Sequence, residues 1–317
     1  MSRPRTLLMI LLFYTIGDAI GNTTNTYDPL FILGFLPIVL SYINAACLND
    51  LSDEEIDKIN LKHDPERPLA NGKKTSRTAI FILAIISGVA ALSTSYFLGA
   101  TGILFVISSL ILNIVYSFPP LQLSHRGMLA PLTLPYFYIF IPFFMGFMIH
   151  NIPVTREVLT LAVALYIGFI GRIILKDYRD VTGDKQFGKM TFLIRHGSVA
   201  TCIVAAACWV IFDVLVSYYF VSKPMYIVYL QPYIAVTLYL LYLLSRTPNL
   251  KMQLNHISMI GRFGNMLALL ILTYITLSHL PYTEGINSVI ITIVMGIYLY
   301  IIYQTYSLLY YSGNGKP

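Results

Sequence analysis

The sequence predicts an all-α integral membrane protein with about nine or ten spanning helices. Three observations carry this. Of 317 residues, 56% are hydrophobic and only 11% are charged, whereas a soluble domain is about 25% charged; the mean hydropathy is +0.70. Apolar runs of membrane-crossing length, about 20 residues each, recur along the whole chain. The remaining charges are sorted to one side of those runs.

In order, the apolar runs predict helices at 6–21, 30–49, 79–98, 101–117, 129–149, 157–176, 199–220, 225–244, 259–279 and 286–311. The first follows a basic start and reads as a spanning helix rather than a cleaved leader, because no small-residue cleavage site follows it. Gly99 and Gly102 mark the break between the third and fourth runs. Pro119 and Pro120 end the fourth, since the residue before a proline is pushed out of the helical region. The fifth is dense in aromatics, from Tyr136 to Phe147; these read either as the lining of an apolar pocket or as ordinary packing. With no soluble segment between runs, the chain reads as one transmembrane domain, 1–317, with polar loops at 50–78 and 176–198.

With the N-terminus in the cytoplasm, nineteen of the 21 lysines and arginines fall on the cytoplasmic side, leaving only Arg156 and Lys223 opposite. This bias places both termini and both polar loops inside, at the plasma membrane. It accounts for most of the net charge of +6, which therefore implies no nucleic acid; the basic loops suit anionic lipid headgroups. Cys47, Cys202 and Cys208 sit within apolar runs and form no C-x-x-C pair, so they read as small buried hydrophobes. The six histidines make no zinc set, and His150 and His279 read as facing solvent or headgroups. Asp18, Asn44 and Asp213 fall in or near membrane depth, where polar groups are costly and mark function or a partner on another helix.

The chemistry is concentrated in a repeated acidic spacing. Asp50, Asp53 and Asp57 follow one apolar run, and Asp177, Asp180 and Asp184 follow another, both as D-x2-D-x3-D. On a helix this spacing puts three carboxylates within roughly 60° of one face. Like charges so placed repel, and the economical explanation is a divalent cation. Mg2+ takes hard oxygen ligands and is completed by substrate phosphates. The alternative for either triplet alone is a solvated acidic loop. Arg67, Lys176, Arg179 and Lys189 stand beside the acids as candidate diphosphate ligands; topology alone is the competing reading. Tyr116 reads either as a phosphate or carbocation contact or as an interfacial anchor.

These motifs resemble a known family. N-D-x-x-D-x-x-x-D at Asn49–Asp57, R-P-L-A-N-G at Arg67–Gly72, Y-S-F-P-P-L at Tyr116–Leu121 and D-Y-R-D-V-x-G-D-x-x-x-G-K-x-T at Asp177–Thr191 are similar to the UbiA superfamily of intramembrane prenyltransferases. The resemblance runs from about residue 3 to 200. It implies a helical ring around a central cavity, with Mg2+ held by Asp50, Asp53, Asp57, Asp177, Asp180 and Asp184. A polyprenyl diphosphate would be bound with help from Asn49, Arg67, Tyr116, Lys176, Arg179 and Lys189. Its ionisation to an allylic cation would be followed by attack of a lipophilic acceptor, either an aromatic or quinone precursor or an isoprenoid lipid; no protein partner is implied. The chain departs from the family in carrying Pro120 four residues after Tyr116, where some members have lysine, and in the tenth helix. A terpene cyclase, a phosphoribosyl transferase of the same superfamily and a transporter are the competing functions. The polar residues cluster at one face rather than at mid-membrane, which argues against the last.

Overall fold

In lipid a spanning segment must satisfy its own backbone, so apolar runs become helices. The computed structural model describes residues 4–22, 29–61, 67–70 and 76–278, with positions 289, 291, 292 and 296. The described chain is built of helices α1 (Pro4–Gly21), α2 (Leu30–Ser52), α3 (Glu54–Asn60), α4 (Arg77–Ser95), α5 (Gly99–Ser117), α6 (Leu129–Pro135), α7 (Ile141–Met148), α8 (Arg156–Ile173), α9 (Asp177–Gln186), α10 (Phe192–Tyr219), α11 (Pro224–Arg246) and α12 (Leu250–Ser278). Two short strands, β1 (Arg126–Gly127) and β2 (Met190–Thr191), pair in parallel.

Seven helical stretches among the described residues are long and apolar enough to cross a membrane, fewer than the nine or ten predicted. The difference has three sources. The stretch Arg77–Ser117 is continuous by assignment but contains α4 and α5. At about 1.5 Å per residue it would exceed a bilayer core twofold as a single rod. Tyr96–Leu98 tighten into a 3-10 turn, and Gly99, at φ +70°, redirects the chain. The apolar part of α1, Thr6–Gly21, is shorter than the rest. The predicted 286–311 helix lies outside the described residues except at four isolated positions.

Several helices also extend past their predicted ends. The 157–176 run continues through a 3-10 turn at Ile174–Lys176 into α9, so the second acidic triplet is itself helical. α12 starts at Leu250, where the Asn249 side chain accepts from the Met252 N–H as an N-cap. α10 starts at Phe192 and bends at Gly197, where φ is +79°.

The chain divides into two compact units. One takes Met1–Asn22, Thr26–Ile152 and Arg179–Arg195; the other takes Thr23–Asn25, Pro153–Tyr178 and His196–Pro317.

In the first unit, α1 and α7 pack backbone to backbone. A Cβ at Gly17 would lie 1.9 Å from the Phe143 carbonyl oxygen, and one at Gly146 would lie 2.2 Å from that of Tyr14. Gly17-x3-Gly21 and Gly146 thus supply the small-residue contact by which membrane helices approach closely. Asp18 is hydrogen-bonded to His150 at 2.9 Å, so His150 pairs within the fold instead of facing solvent or headgroups. His279 lies outside the described residues. A second tie joins α2, α4 and α5: Asn44 donates to the Ala84 carbonyl (2.9 Å) and accepts from Asn113 (3.1 Å), while Ser41 and Ser109 share a 2.6 Å bond. Asn44 is therefore an interhelical clamp, the partner on another helix that its membrane depth called for. Phe143, Phe144 and Phe147 are buried, whereas Tyr136–Phe140 form a π-helical turn whose Tyr136 and Phe140 rings stack at 5.4 Å.

In the second unit, Gly168 lies against Phe212 and Gly171 against Trp209. Asp213 accepts from Gln231 at 2.9 Å, pairing two helices as its membrane position requires.

Gly146→Leu drives a side chain into the α1 backbone. It should cost on the order of 3 kcal/mol, read as a lowered Tm and reduced folded yield in detergent; an unchanged Tm would show that the helices do not pack this closely.

Candidate active site

The first acidic triplet is set by a break in the helix. α2 ends at Ser52, Asp53 leaves helical geometry (φ −99°, ψ 14°), and α3 begins at Glu54. The hydrogen bonds Asp53 N to Asn49 O (2.9 Å) and Asp57 N to Asp53 O (2.8 Å) carry the winding across that break. Asp50, Asp53 and Asp57 are all buried. A buried carboxylate is expensive unless paired and hydrogen-bonded, and each of these is. Arg67 Nη1 lies 2.6 Å from Asp50 Oδ1 and 2.8 Å from Asp57 Oδ2, and donates to Asn49 Oδ1 at 3.0 Å. Asn49 Nδ2 donates to Asp53 Oδ2 (3.0 Å) and Ser52 Oγ to Asp53 Oδ1 (3.1 Å).

Asn60, at the end of α3, then holds the second motif. Its Nδ2 donates to the Asp180 carbonyl at 2.8 Å, and its Oδ1 accepts from Gly183 N–H at 2.7 Å. A Cβ on Gly183 would meet the Asn60 amide at 2.7–2.8 Å, so any larger residue there must displace that amide from its hydrogen bonds. Asn60 Nδ2 also lies 3.4 Å from Asp184 Oδ1.

Lys189 completes the arrangement. Its Nζ stands 3.7 Å from Asp53 Oδ2 and 3.5 Å from Asp184 Oδ1, so one buried ammonium lies between the two motifs. The β1–β2 pairing, Arg126 with Met190 and Gly127 with Thr191, brings the loop after Tyr116 beside it. From that loop His125 Nε2 approaches Asp53 Oδ1 to 3.8 Å, an electrostatic rather than hydrogen-bonded distance.

Of the residues singled out in the sequence, the first unit gathers Asn49, Asp50, Asp53, Asp57, Arg67, Asp184 and Lys189. Asp180 enters through its backbone, while its carboxylate pairs with the exposed Arg179 at 2.8 Å. Tyr116 is buried one residue before Ser117, whose carbonyl accepts from Ser52 Oγ at 2.6 Å. Lys176 and the buried Asp177 belong to the second unit. Asn60 and His125 were not read from the sequence. Asn60 carried a signal, since it continues the 50, 53, 57 spacing by three more residues; His125, in an irregular loop, carried none.

The donor chemistry suits a hard cation: carboxylate and amide oxygens with no sulfur. Among the described residues, however, no three acidic, histidine or cysteine side chains converge into a ready cage. The acids are turned toward Arg67 and Lys189.

The charge balance of Asp53 follows. Burial opposes its ionisation, but His125, Lys189 and Arg67 outweigh burial and hold the carboxyl well below the usual carboxylate range. Arg67 shows the converse: burial works against its charge, yet Asp57, Asp50 and Asp53 raise its pKa.

Known proteins resemble this chain in sequence and in fold. The model of the UbiA prenyltransferase family matches residues 10–260. A homogentisate phytyltransferase of Synechocystis sp. is 29% identical over 233 residues, covering 66% of this chain and 74% of that protein. A digeranylgeranylglyceryl phosphate synthase of Methanosphaera stadtmanae is 25% identical over 272 residues, covering 84% of this chain and 94% of that protein. Among solved structures, a UbiA homolog from Archaeoglobus fulgidus bound to DMAPP and Mg2+ shares the fold with a TM-score of 0.61 at 17% identity, covering 96% of this chain and 97% of that one.

A carboxyl whose pKa is depressed by folding contributes stability above its unfolded pKa of about 3.9, and that stability is lost as pH falls through the lower folded value. Lys189→Met removes one of the cations that depress Asp53. That brings the folded pKa of Asp53 closer to its unfolded value, so the variant should have a lower Tm near neutral pH and lose less Tm on acidification than the wild type, measured in detergent from about pH 7 to 3; superimposable pH profiles would remove Lys189 from the site.

Proposed function

From the premise that this chain belongs to the UbiA prenyltransferase family, and is thus a membrane enzyme of prenyl transfer, we propose that it moves a polyprenyl group from a polyprenyl diphosphate to a lipophilic acceptor. The acceptor class is an aromatic or quinone precursor, or an isoprenoid lipid. The relatives named for homogentisate phytyl transfer and for digeranylgeranylglyceryl phosphate synthesis support both. The observation that carries the reading is Lys189 between Asp53 and Asp184, a buried cation already shared by the two acidic motifs.

Mg2+ would be held by Asp50, Asp53, Asp57, Asp177, Asp180 and Asp184, where it supplies positive charge to the diphosphate oxygens and so makes diphosphate a better leaving group. The chain's own cations do complementary work. Arg67 and Lys189 lie against carboxylates in this structure and exchange those partners for phosphate oxygens when substrate arrives; an arginine fork suits two oxygens of one phosphate. Asn49 fixes the angle of both Arg67 and Asp53 through its two hydrogen bonds. Lys176, Arg179 and Tyr116 contribute at the diphosphate end, Tyr116 through its hydroxyl or its ring face. As the C1–O bond breaks, its electron pair leaves with the diphosphate, and the allylic cation at C1 is attacked by the acceptor, which then loses a proton. The charge bias of the loops supports a cytoplasmic face for this chemistry, and the membrane we propose is the plasma membrane.

Purified protein in detergent with geranylgeranyl diphosphate should release diphosphate when Mg2+ is present and stop when EDTA is added. Asp50→Ala or Asp177→Ala should lower release by about 100-fold or more, as expected when a charge-stabilising group is lost from a reacting centre, while each variant still elutes as folded protein. Wild-type rates in either variant would overturn the metal assignment. Mass spectrometry of products separates an adduct on a supplied acceptor from the hydrocarbon a cyclase would make.

A further inference from the structure

The second unit holds a cation that the donor site does not use. Arg172, near the end of α8, is partly buried within the apolar stretch Arg156–Gln186. Among the described residues no carboxylate pairs with it. Its Nη1 donates to the neutral side chain of Asn265 on α12, and its guanidinium lies 5.7 Å from the centre of the Phe169 ring. A guanidinium has five N–H donors, so most of its hydrogen-bonding capacity is left for something else. An ionisable group within a membrane helix is costly and marks function when it has no countercharge.

Its surroundings are donors and open backbone. On α12, Gly261 and Gly264 face it: Cβ atoms built there would lie 3.6 and 3.7 Å from Arg172 atoms, an ordinary contact distance, so the two glycines form a trough of bare backbone against which the Arg172 side chain lies. The other wall is Trp209, which is buried and whose indole Nε1 has no hydrogen-bond partner. Its Cδ1 lies near Gly171 and its Cζ2 near Gly264, so the ring edge carrying Nε1 runs toward the trough. A buried N–H without an acceptor beside an arginine without an acid is a site short of oxyanion oxygens.

We propose that this trough binds the anionic group, carboxylate or phosphate, of the prenyl acceptor. The inference rests on the transferase reading above. Arg172 precedes Asp177 by five residues on one helical stretch, roughly 8 Å along the axis. An acceptor anchored by its anion at Arg172 would extend its nucleophile toward Asp177. The relevant specificity is bidentate, and lysine would reproduce it only in part.

The chain has one tryptophan and 24 tyrosines, so fluorescence of the full protein in detergent, excited at the long-wavelength edge where tyrosine does not absorb, reports on Trp209 alone. Two matched pairs of probes would be titrated: homogentisate against its methyl ester, and geranylgeranylglyceryl phosphate against geranylgeranylglycerol. In at least one pair the anionic member should bind about tenfold tighter or more. Arg172→Gln should abolish that preference and Arg172→Lys should keep part of it. Asn265→Asp, which supplies an internal carboxylate to Arg172 without emptying the site, should abolish it as well and carries the test if Arg172→Gln fails to fold. Equal affinity within both pairs, or a preference that survives Asn265→Asp, would overturn the proposal. So would phosphatidylglycerol saturating the signal as tightly and with the same dependence on Arg172, which would make this a lipid headgroup site. Failure of the transferase reading is separate: it appears as absence of Mg2+-dependent diphosphate release by the wild-type protein.

Discussion

Everything at the acidic site depends on one constraint: carboxylates buried this deeply must be neutralised. Asp50, Asp53, Asp57 and Asp184 are all buried, and ionised groups in such surroundings persist only with countercharge and hydrogen bonds. Arg67 answers two of them and Lys189 the other two. The same side chains are suited to phosphate. On the function proposed above, the resting protein satisfies its acids with the cations that the reaction would use. On that proposal, exchanging a carboxylate partner for a phosphate partner, with Mg2+ bound by the carboxylates, would keep the charge balanced and leave no bare ion in a dry place.

The helices beneath are arranged to deliver this cluster without strain. α2 carries the first motif and is held from the side by the Asn44–Asn113 and Ser41–Ser109 bonds, about two turns before Asp50. Between lipid-embedded helices, close packing and hydrogen bonds hold the contacts, since burial in another helix gains little over burial in lipid. The same economy appears at α1 and α7, where glycines bring the backbones together, and at Asp18–His150, where a membrane carboxylate finds its partner one helix away.

The sequence was a good guide wherever a single physical rule dominated. Hydrocarbon thickness fixed the apolar runs, and helical periodicity grouped each aspartate triplet on one side; the structure gathers Asp50, Asp53 and Asp57 around Arg67 and Lys189 even across the break at Asp53, whereas the Asp180 carboxylate turns to Arg179. Arg67 and Lys189, read as diphosphate ligands, do stand among the acids. What remained hidden depends on tertiary proximity. His125 reaches Asp53 only because two-residue strands align the loop after Tyr116 with the segment after Asp184, and no local pattern announces that. His150 reads as interfacial by position, yet its ring partner lies in α1. The helix ends moved outward because polar residues such as Lys251, Gln253 and Asn255 are acceptable in a helix that has left the hydrocarbon, so hydropathy marks where the membrane ends rather than where the helix ends.

The grip of Asn60 has a consequence for how this site can change. It holds α9 by main-chain atoms, the carbonyl of Asp180 and the N–H of Gly183, and asks nothing of the side chains on the outer surface. Arg179, Thr182, Lys185 and Gln186 are exposed. The pitch and register of the acidic helix are thus insulated from substitutions on its rim, and the electrostatic potential at the mouth can drift, or be engineered, without moving Asp184. Rim charge and the placement of the buried acid are separable traits on ten consecutive residues.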